Sequence, residues 1–404
     1  MANVNLTIDD ITRESLRVLH QKLNFTGNIV RDYDDSFAQS GAKIGNTLRV
    51  RLPVQYTTGT GADISGSDQD SVQTSTTLTV NTQRHIPMAF TSNEMTMSID
   101  EFSQRHIEPA MSKMASMIEY DGLSECMKYV GHTVDAGTAV AFADIMNGRA
   151  KLVGSLAPTD GRCALLDTQA NVDLVTDNKS LFNDQSELGK QYKEGAMGRF
   201  GSFDFYENTL LPKITTAAGG TTNYDVNGAG QNKTLSATDP DPVSQTLAVD
   251  TGSAAIAVGS KFTIDGVFAV HPETKETMSY LKQFSVVVGG TGAGNITISP
   301  AIISSGPHQN VSAAPADGAT ITFAGDTAAH DRSLLFQKGF ACMGSADLVL
   351  PKGVHMASRQ NHDGISMRVV QDYDVVSDKL YTRLDVLYGF KVLRPDLACE
   401  IWHQ

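Results

Sequence analysis

The sequence lacks any run of basic residues, and this absence argues against a protein that holds nucleic acid by its phosphates. Its 404 residues include 32 Lys and Arg against 45 Asp and Glu, so the formal net charge is -13. Phosphate binding needs clustered Lys and Arg, because counterion release supplies most of the affinity. If nucleic acid lies near this protein, we expect containment rather than binding.

Signals for secretion and for membranes are missing as well. The first residues carry neither a basic segment nor an apolar core of the signal-peptide type, and no window approaches the apolar length that spans a bilayer. Cys126, Cys163, Cys342 and Cys399 show neither metal-type nor redox-type spacing. We therefore expect reduced, mostly buried thiols in a cytosolic product with no membrane partner.

The composition that remains is that of a globular protein. Hydrophobic residues make up 41% of the chain and charged residues 19%, and there are 35 glycines. Glycine, threonine, serine and alanine recur throughout, which favours a β-rich chain with many turns. The length allows more than one domain and a sizeable buried core.

The first hundred residues predict a helix followed by a long hairpin. Apolar spacing across residues 7–23 indicates an amphipathic helix. Residues 48–56 and 78–90 alternate between apolar and polar, with the period of two that is typical of strands. Between them, residues 57–77 are almost wholly Gly, Thr, Ser, Asp and Gln. This segment is either a mobile surface loop or an arm that becomes ordered only against another subunit.

A long helix is predicted to follow the hairpin. Glu108 and Pro109 have the character of a helix start, since proline is tolerated in a first turn. Apolar residues keep roughly helical spacing from there to Val130, interrupted only by Gly122. A methionine stripe along this segment is typical of a core-facing surface rather than of a ligand site.

Mixed α/β structure is predicted next, and then an inserted β domain. A helix is expected at residues 142–153, a buried strand at 163–167 and a helix at 168–175. No arginine occurs between Arg199 and Arg332, and short strands alternate with Gly-rich turns there. This pattern predicts a small all-β barrel or sandwich, inserted where two chain ends lie close together. Its strands are expected at residues 246–249, 261–264, 284–288, 296–298 and 320–323.

No catalytic, metal or cofactor site emerges from the sequence. The glycine-rich residues 290–294 lack the Lys-Ser/Thr ending of a phosphate loop and are predicted to form a turn between strands. Two further groups lack the partners of a calcium loop, a zinc motif or a nucleophile elbow: Asp32, Asp34 and Asp35, and His355, His362 and Asp363. We predict that the protein is not an enzyme and takes no cofactor.

The C-terminal segment gives the most specific local signal. It contains, in order, Gly364-Ile365-Ser366-Met367-Arg368-Val369-Val370, Tyr373-Asp374, Arg383-Leu384-Asp385-Val386-Leu387-Tyr388-Gly389 and Val392-Leu393-Arg394-Pro395. A strand, a second strand ending in Tyr-Gly and an Arg-Pro turn form an ending that recurs in the major capsid proteins of tailed bacteriophages. Together with the order of the preceding parts, this segment resembles that family.

The resemblance implies an α+β fold of the Hong Kong 97 type with an inserted β-barrel. The insertion, preceded by Leu210-Leu211-Pro212-Lys213, is similar to that of the branch that includes the phage P-twenty-two coat protein. The polar loop at residues 227–243 departs from that pattern, so its role in contacts between capsomers stays open. The implied parts are an N-terminal arm (1–45), an extended hairpin loop (46–91), a peripheral domain with a spine helix (92–138), a first axial part (139–214), the barrel (215–330) and a second axial and peripheral part (331–404).

The resemblance also implies a function. The chain would assemble into the hexamers and pentamers of an icosahedral virion shell, with a scaffolding protein and a portal, in the host bacterial cytoplasm, and enclose double-stranded DNA without sequence-specific binding. The alternative is a non-enzymatic surface-layer, adhesin-like or tail-tube binding protein, which would lack a long helix after the hairpin. We hypothesise that the hairpin tip lies across an adjacent subunit. The candidate contact residues are Thr57, Gly61, Asp63, Ile64, Asp68, Asp70, Val72, Asp239 and Asp241.

Overall fold

The computed structural model describes residues 12, 15, 23–31, 47–58, 73–91, 108–177, 199–215, 224–325, 328–362 and 364–404. These residues divide into two compact units. Unit 1 takes in the described residues of 1–48, 77–122 and 342–391, and unit 2 those of 49–76, 123–341 and 392–404. Thr12 and Ser15, which belong to the predicted N-terminal helix, are helical and buried. Most of that helix lies outside the described residues.

The elements follow one another along the chain. The first are β1 (Thr47–Arg51), β2 (Ser75–Thr79), β3 (Thr82–Thr91), α1 (Glu108–Cys126), β4 (His132–Asp135), α2 (Phe142–Gly154), β5 (Arg162–Leu166), α3 (Thr168–Asp177), β6 (Arg199–Phe200), β7 (Phe203–Glu207) and β8 (Ile214–Thr215). Then come β9 (Tyr224–Val226), β10 (Gln245–Asp250), β11 (Ala255–Ile256), β12 (Lys261–Val270), β13 (Thr277–Val288), β14 (Gly290–Thr291), β15 (Gly294–Ser299) and β16 (Thr320–Phe323). The last are β17 (Ala329–Gln337), β18 (Ala341–Ser345), β19 (Met356–His362), β20 (Ile365–Asp374), β21 (Lys379–Val392) and β22 (Ala398–His403).

Unit 1 contains a five-stranded sheet with the order β18-β21-β20-β19, in which β3 pairs with the free side of β21. The pairing of β3 with β21 is antiparallel and runs from Thr82 opposite Tyr388 to Thr91 opposite Lys379. The single strand predicted at residues 78–90 is therefore wrong. Its beginning belongs to β2, which pairs with β1, and its remainder leaves that pair to join the sheet.

Helix α1 begins at Glu108, as predicted, and continues through Gly122 without the predicted interruption. A Cβ atom at Gly122 would lie 2.8 Å from Cζ of Phe390, so the glycine allows a close approach of β21 to the helix rather than breaking it. Met111 and Met114 are buried, which confirms that the methionine stripe is a core surface. A three-residue 3-10 helix, Met127–Tyr129, extends the segment.

Unit 2 contains a mixed sheet with the order β4-β22-β17-β5-β7-β6. Strand β17 is antiparallel to both of its neighbours, β22 and β5, while β22 runs parallel to β4 and β5 runs parallel to β7. A Cβ atom at Gly148 of α2 would lie 2.6 Å from Cδ1 of Leu335, so this glycine lets the helix sit close to β17. The predicted helices and buried strand of this region are confirmed as α2, β5 and α3.

The inserted region forms a closed barrel with the order β10-β15-β13-β12-β16-β9. All five predicted strands are present, and β9 is a sixth strand that closes the barrel between β10 and β16. The core consists of side chains that point into the barrel: Tyr224, Val226, Leu247, Val249, Ile256, Phe262, Ile264, Val267, Phe284, Val286, Ile296, Ile298, Ile302, Val311, Ile321 and Phe323.

The two chain ends of the barrel region meet. Thr215 in β8 is the register partner of Ala329 in β17, and Ile214 is the partner of His330. The chain therefore leaves the mixed sheet and returns to it through one short antiparallel pair, as is expected of a domain inserted into a loop. Among the described residues, no helix combines the length and the apolar character needed to cross a bilayer.

Candidate functional site

The nine predicted contact residues are only partly visible in the structure. Gly61, Asp63, Ile64, Asp68, Asp70 and Val72 lie outside the described residues. Thr57 and Asp239 are exposed, and a carboxylate oxygen of Asp239 lies 2.9 Å from Nζ of Lys233. Asp241 accepts a hydrogen bond from the backbone N–H of Val243 at 3.0 Å. Contact between these side chains and another subunit remains a prediction.

The base of the predicted arm belongs to unit 2, and hydrogen bonds join its two chain segments. The backbone N–H of Leu52 donates to the carbonyl oxygen of Thr74 at 2.9 Å, and Nε of Arg49 donates to Oγ of Ser75 at 2.7 Å. Thr74, Ser75 and Thr76 are 1%, 4% and 2% exposed. The C-terminal end of the predicted polar tip, residues 57–77, is therefore buried rather than exposed. Oγ of Ser75 accepts the hydrogen bond from Arg49, whereas the buried Oγ1 of Thr76 has no hydrogen-bond partner among the described residues.

The arm base also contacts the polar loop at residues 227–243. The backbone N–H of Ser75 donates to the carbonyl oxygen of Pro240 at 3.1 Å. Pro240 lies between Asp239 and Asp241, so two regions that are remote in sequence and were separately predicted to make contacts are neighbours. The arm base and the polar loop are therefore in direct contact.

The junction between the barrel and the mixed sheet centres on Lys261. This side chain belongs to β12 and is 0% exposed. Its Nζ donates to the carbonyl oxygen of Val130 at 2.8 Å and to Oγ of Ser285 at 3.0 Å. It also lies 3.3 Å from Oε1 of Glu400, a fully buried carboxylate of β22. One lysine thus links the barrel wall to the end of the α1 segment and to the mixed sheet.

Glu400 holds further partners around Lys261. Its Oε1 lies 3.5 Å from a guanidinium nitrogen of Arg332, and its Oε2 accepts a hydrogen bond from Nε1 of Trp402 at 2.8 Å. Burial lowers the pKa of Lys261 to about 8, against the attraction of Glu400. Because Lys261 has no exposed surface and its donors are satisfied, it cannot act as a nucleophile towards a dissolved substrate. Its role is to fix the barrel in place.

A second polar group lies at the same junction. Nζ of Lys282, on β13, is 2.6 Å from Oδ1 of Asp396. Nε2 of His132, on β4, lies 3.0 Å from Oγ of Ser155 and 3.6 Å from Oδ1 of Asp396. Burial, reinforced by the charge of Lys282, lowers the pKa of His132 to about 3. The ring is therefore neutral at physiological pH and packs as a structural hydrogen-bonding group.

A cavity of about 480 Å³ opens beside this second group. Its lining includes Leu52 and Thr74 of the arm base, Pro242 of the polar loop, Tyr280 of β13 and Pro395. In this lining, Lys282 and Asp396 are already paired with each other. Ser155 also lines the cavity, where its hydroxyl lies 3.0 Å from Nε2 of the neutral His132.

The sequence did not reveal the junction, and the reason is the period of the strand. In β12, Phe262 and Ile264 point into the barrel, so alternation places Lys261 on its outer face. An outer lysine is normally exposed. It is buried here because the mixed sheet covers that face. A weak signal in the sequence was the polar Ser285 within the apolar strand β13; in the structure it is the cross-strand partner of Lys261.

Among the described residues, one group of side chains has the spacing of a metal site. Asp167 follows β5, Asp331 lies in β17 and His403 lies in β22, and one possible ligand atom from each falls within 4.8 Å of the others. All three side chains belong to the mixed sheet of unit 2. No sequence motif joins them, and the sequence analysis did not identify them.

Comparison with known sequences gives one family. The family described as P22 coat protein, gene protein 5, matches residues 8–400. No curated protein matches the chain.

Comparison with solved structures gives phage particles. The chain is similar to a structure titled Mycobacterium phage Che8, with 10% identity, 94% of this chain and 90% of that chain covered, and a TM-score of 0.48. It is similar to the capsid of Ralstonia phage GP4, with 8% identity, coverage of 100% and 95%, and a TM-score of 0.48. The CUS-3 coat protein I-domain shares 32% identity over 26% of this chain and 98% of that chain, with a TM-score of 0.21.

Proposed function

The chain belongs to the P22 coat protein family, whose members are bacteriophage capsid subunits, and from this premise we propose that it assembles with a separate scaffolding protein into the icosahedral shell that encloses viral double-stranded DNA. In this proposal, hexamers and pentamers of the chain form the shell in the host bacterial cytoplasm, and a portal occupies one vertex. α1 serves as the spine helix of a Hong Kong 97-type subunit, and unit 2 supplies the axial lobe with its inserted barrel.

The observation that carries the proposal is the extent of the family match. It runs from residue 8 to residue 400 and includes both units and the barrel. No large part of this chain is left over for a separate activity. Coat subunits act by repeated contacts under symmetry, so the chain needs recognition surfaces rather than a reaction centre.

The charge distribution supports enclosure of DNA without tight binding. The net charge is -13, and the sequence has no basic cluster. Lys261 and Lys282, two positive charges of the barrel, are committed to Glu400 and Asp396 inside unit 2. A shell wall of this kind offers few cations to phosphates, so packed DNA stays free to leave.

The first test is assembly itself. The chain is expressed alone and with the product of its neighbouring scaffold candidate, then examined by sedimentation and negative-stain electron microscopy. We expect uniform closed shells in the presence of the scaffold. Discrete small oligomers under both conditions would contradict the proposal and favour a binding protein of another class.

A second test isolates the arm. Residues 59–72 are replaced by a short Gly-Ser linker, which leaves the buried Thr74, Ser75 and Thr76 in place. We expect a folded, soluble subunit that does not close shells. The matched control carries the same residues 59–72 in scrambled order, which preserves length and charge. Normal shells from the linker variant would show that the segment makes no essential contact between subunits.

A further inference from the structure

Three side chains of unit 2 converge at one edge of the mixed sheet. Asp331 and His403 are register partners in the antiparallel pair of β17 and β22. Asp167 follows β5 directly, on the other side of β17, where Leu165 is the partner of Leu334. Nε2 of His403 lies 3.8 Å from Oδ2 of Asp167. Three adjacent strands thus each contribute one potential ligand.

His403 is the unusual member of this group. Its side chain is 1% exposed, yet neither ring nitrogen has a hydrogen-bond partner. A buried polar atom without a partner is destabilising, so an imidazole with two such atoms calls for an explanation. A neutral ring has a lone pair to offer to a metal ion.

The two carboxylates supply access and charge. The side chains of Asp167 and Asp331 are 25% and 26% exposed, so an ion could enter from solvent and retain water ligands. Oδ2 of Asp167 accepts a hydrogen bond from the backbone N–H of Gln169 at 3.2 Å, which orients the carboxylate. Hydrogen bonds of this kind to ligating groups are a regular feature of metal sites.

We propose that Asp167, Asp331 and His403 bind one divalent transition-metal ion, with Zn²⁺ as the best match to the ligand set. Zn²⁺ accepts both imidazole nitrogen and carboxylate oxygen, with bonds of about 2.0–2.2 Å, and a site with three protein ligands keeps an open water position. Tetrahedral ligand atoms at these bond lengths lie about 3.4 Å apart. Ligand atoms that now lie within 4.8 Å of one another therefore need to close in by up to about 1.4 Å. Mg²⁺ and Ca²⁺ prefer oxygen ligands throughout and fit less well.

The ion would cross-link three strands. It would join the end of β5, the start of β17 and the end of β22, close to the Thr215–Ala329 pair where the chain returns from the barrel. An ion that binds only the folded state raises stability by RT ln(1 + [L]/Kd). The site would therefore stabilise the lobe at the point where the barrel is attached.

Lys213 provides an internal competitor. Its Nζ lies 2.8 Å from Oδ1 and 3.0 Å from Oδ2 of Asp331, and its side chain is 70% exposed. This ammonium occupies the carboxylate that the ion needs. Removing it should strengthen metal binding, whereas removing the carboxylate should abolish it. Opposite effects from two partners of a single ion pair would not arise from nonspecific binding to surface histidines.

The experiment measures Zn²⁺ binding to the full chain by equilibrium dialysis with metal analysis, together with thermal unfolding with and without Zn²⁺. We expect one ion per chain and a higher Tm with Zn²⁺. Asp331→Asn should weaken binding by at least about tenfold, and Lys213→Met should strengthen it several-fold. Asp204→Asn, which removes a carboxylate elsewhere in the same sheet, is the matched control and should bind like the unmodified chain.

Three outcomes would overturn the proposal: no binding by the unmodified chain at millimolar Zn²⁺, equal binding by Asp331→Asn and Asp204→Asn, or weaker binding by Lys213→Met. His403→Gln should also lose the ion. If that variant fails to fold because the position is buried, the two variants at the exposed Lys213–Asp331 pair still decide the question.

Discussion

The inside of the barrel and its outer face against the mixed sheet are both buried, but opposite chemistry holds them. The interior is wholly apolar, from Tyr224 through Leu247 to Phe323. At the junction with the mixed sheet, Lys261 and Lys282 are paired with Glu400 and Asp396. Apolar burial is non-directional and tolerates shifts, whereas a buried ion pair demands one geometry and is costly when one partner is missing. We therefore expect the barrel core to tolerate small shifts, whereas the junction fixes the orientation in which the barrel docks.

Removing the central lysine is the strongest way to break this comparison. Lys261→Met leaves Glu400 with one cation fewer and strips the carbonyl oxygen of Val130 of its donor. Breaking one side of a buried pair typically costs about 3–5 kcal/mol. We expect the free energy of unfolding, measured by chemical denaturation, to fall by that amount. The exposed Lys352→Met is the control and should change stability by less than about 0.5 kcal/mol. Equal losses in the two variants would mean that the junction is not specified by its charges.

A cavity created in the barrel interior should lower the free energy of unfolding by about as much or slightly less. Leu247→Ala removes a fully buried side chain from the barrel core, and such changes cost about 2–5 kcal/mol. The loss should be the same at pH 7 and pH 5, because no titratable group is touched. A loss that depended strongly on pH would show that the interior and the junction are not independent.

The junction, by contrast, should weaken in acid. Burial holds the pKa of His132 at about 3, below its ordinary value of 6.5, so below pH 6.5 the unfolded chain binds a proton that the folded chain does not. Stability from this group is complete above pH 6.5 and is lost progressively as the pH falls towards 3, by about 2 kcal/mol at pH 5. Urea unfolding of His132→Gln should therefore show a smaller drop between pH 7 and pH 5. The exposed His355→Gln should behave like the unmodified chain.

The smallest effect on the subunit is expected at the polar loop. Asp239 pairs with Lys233 but is 58% exposed, and such surface pairs contribute about 0–1 kcal/mol. Asp239→Asn should leave subunit stability almost unchanged. If Asp239 contacts a neighbouring subunit, the variant should still lower the yield of closed shells measured by sedimentation. Unchanged yield would remove this residue from the predicted contact surface.

The sequence predicted the interior better than the junction, for a physical reason. Alternation places Phe262, Ile264 and Phe284 inside a barrel whatever surrounds it, because the period of two is a local property. Lys261 is buried by contacts with Val130 and Glu400, each more than a hundred residues away in the sequence, and nothing local marks those contacts. The alternation at residues 78–90 likewise continues without change across the point where β2 ends and β3 begins.

The candidate metal site lay beyond sequence reasoning for the same reason. Asp167, Asp331 and His403 come from three separate strands, and their spacing in the chain follows no ligand motif. Only the register of β17 against β5 and β22 brings them together. The acidic group that the sequence did display, near Asp34, lies outside the described residues.

The pairing of Lys261 with Glu400 also constrains the order of events during synthesis of the polypeptide. The two residues are 139 positions apart, and every barrel strand lies before Glu400 in the chain. At a synthesis rate of about 5–20 residues per second, the barrel lysine is synthesised roughly 7 to 28 seconds before its buried partner. During that interval the barrel can close around its apolar core while Lys261 stays hydrated. The pair that docks the barrel on the mixed sheet can form only after β22 has been translated.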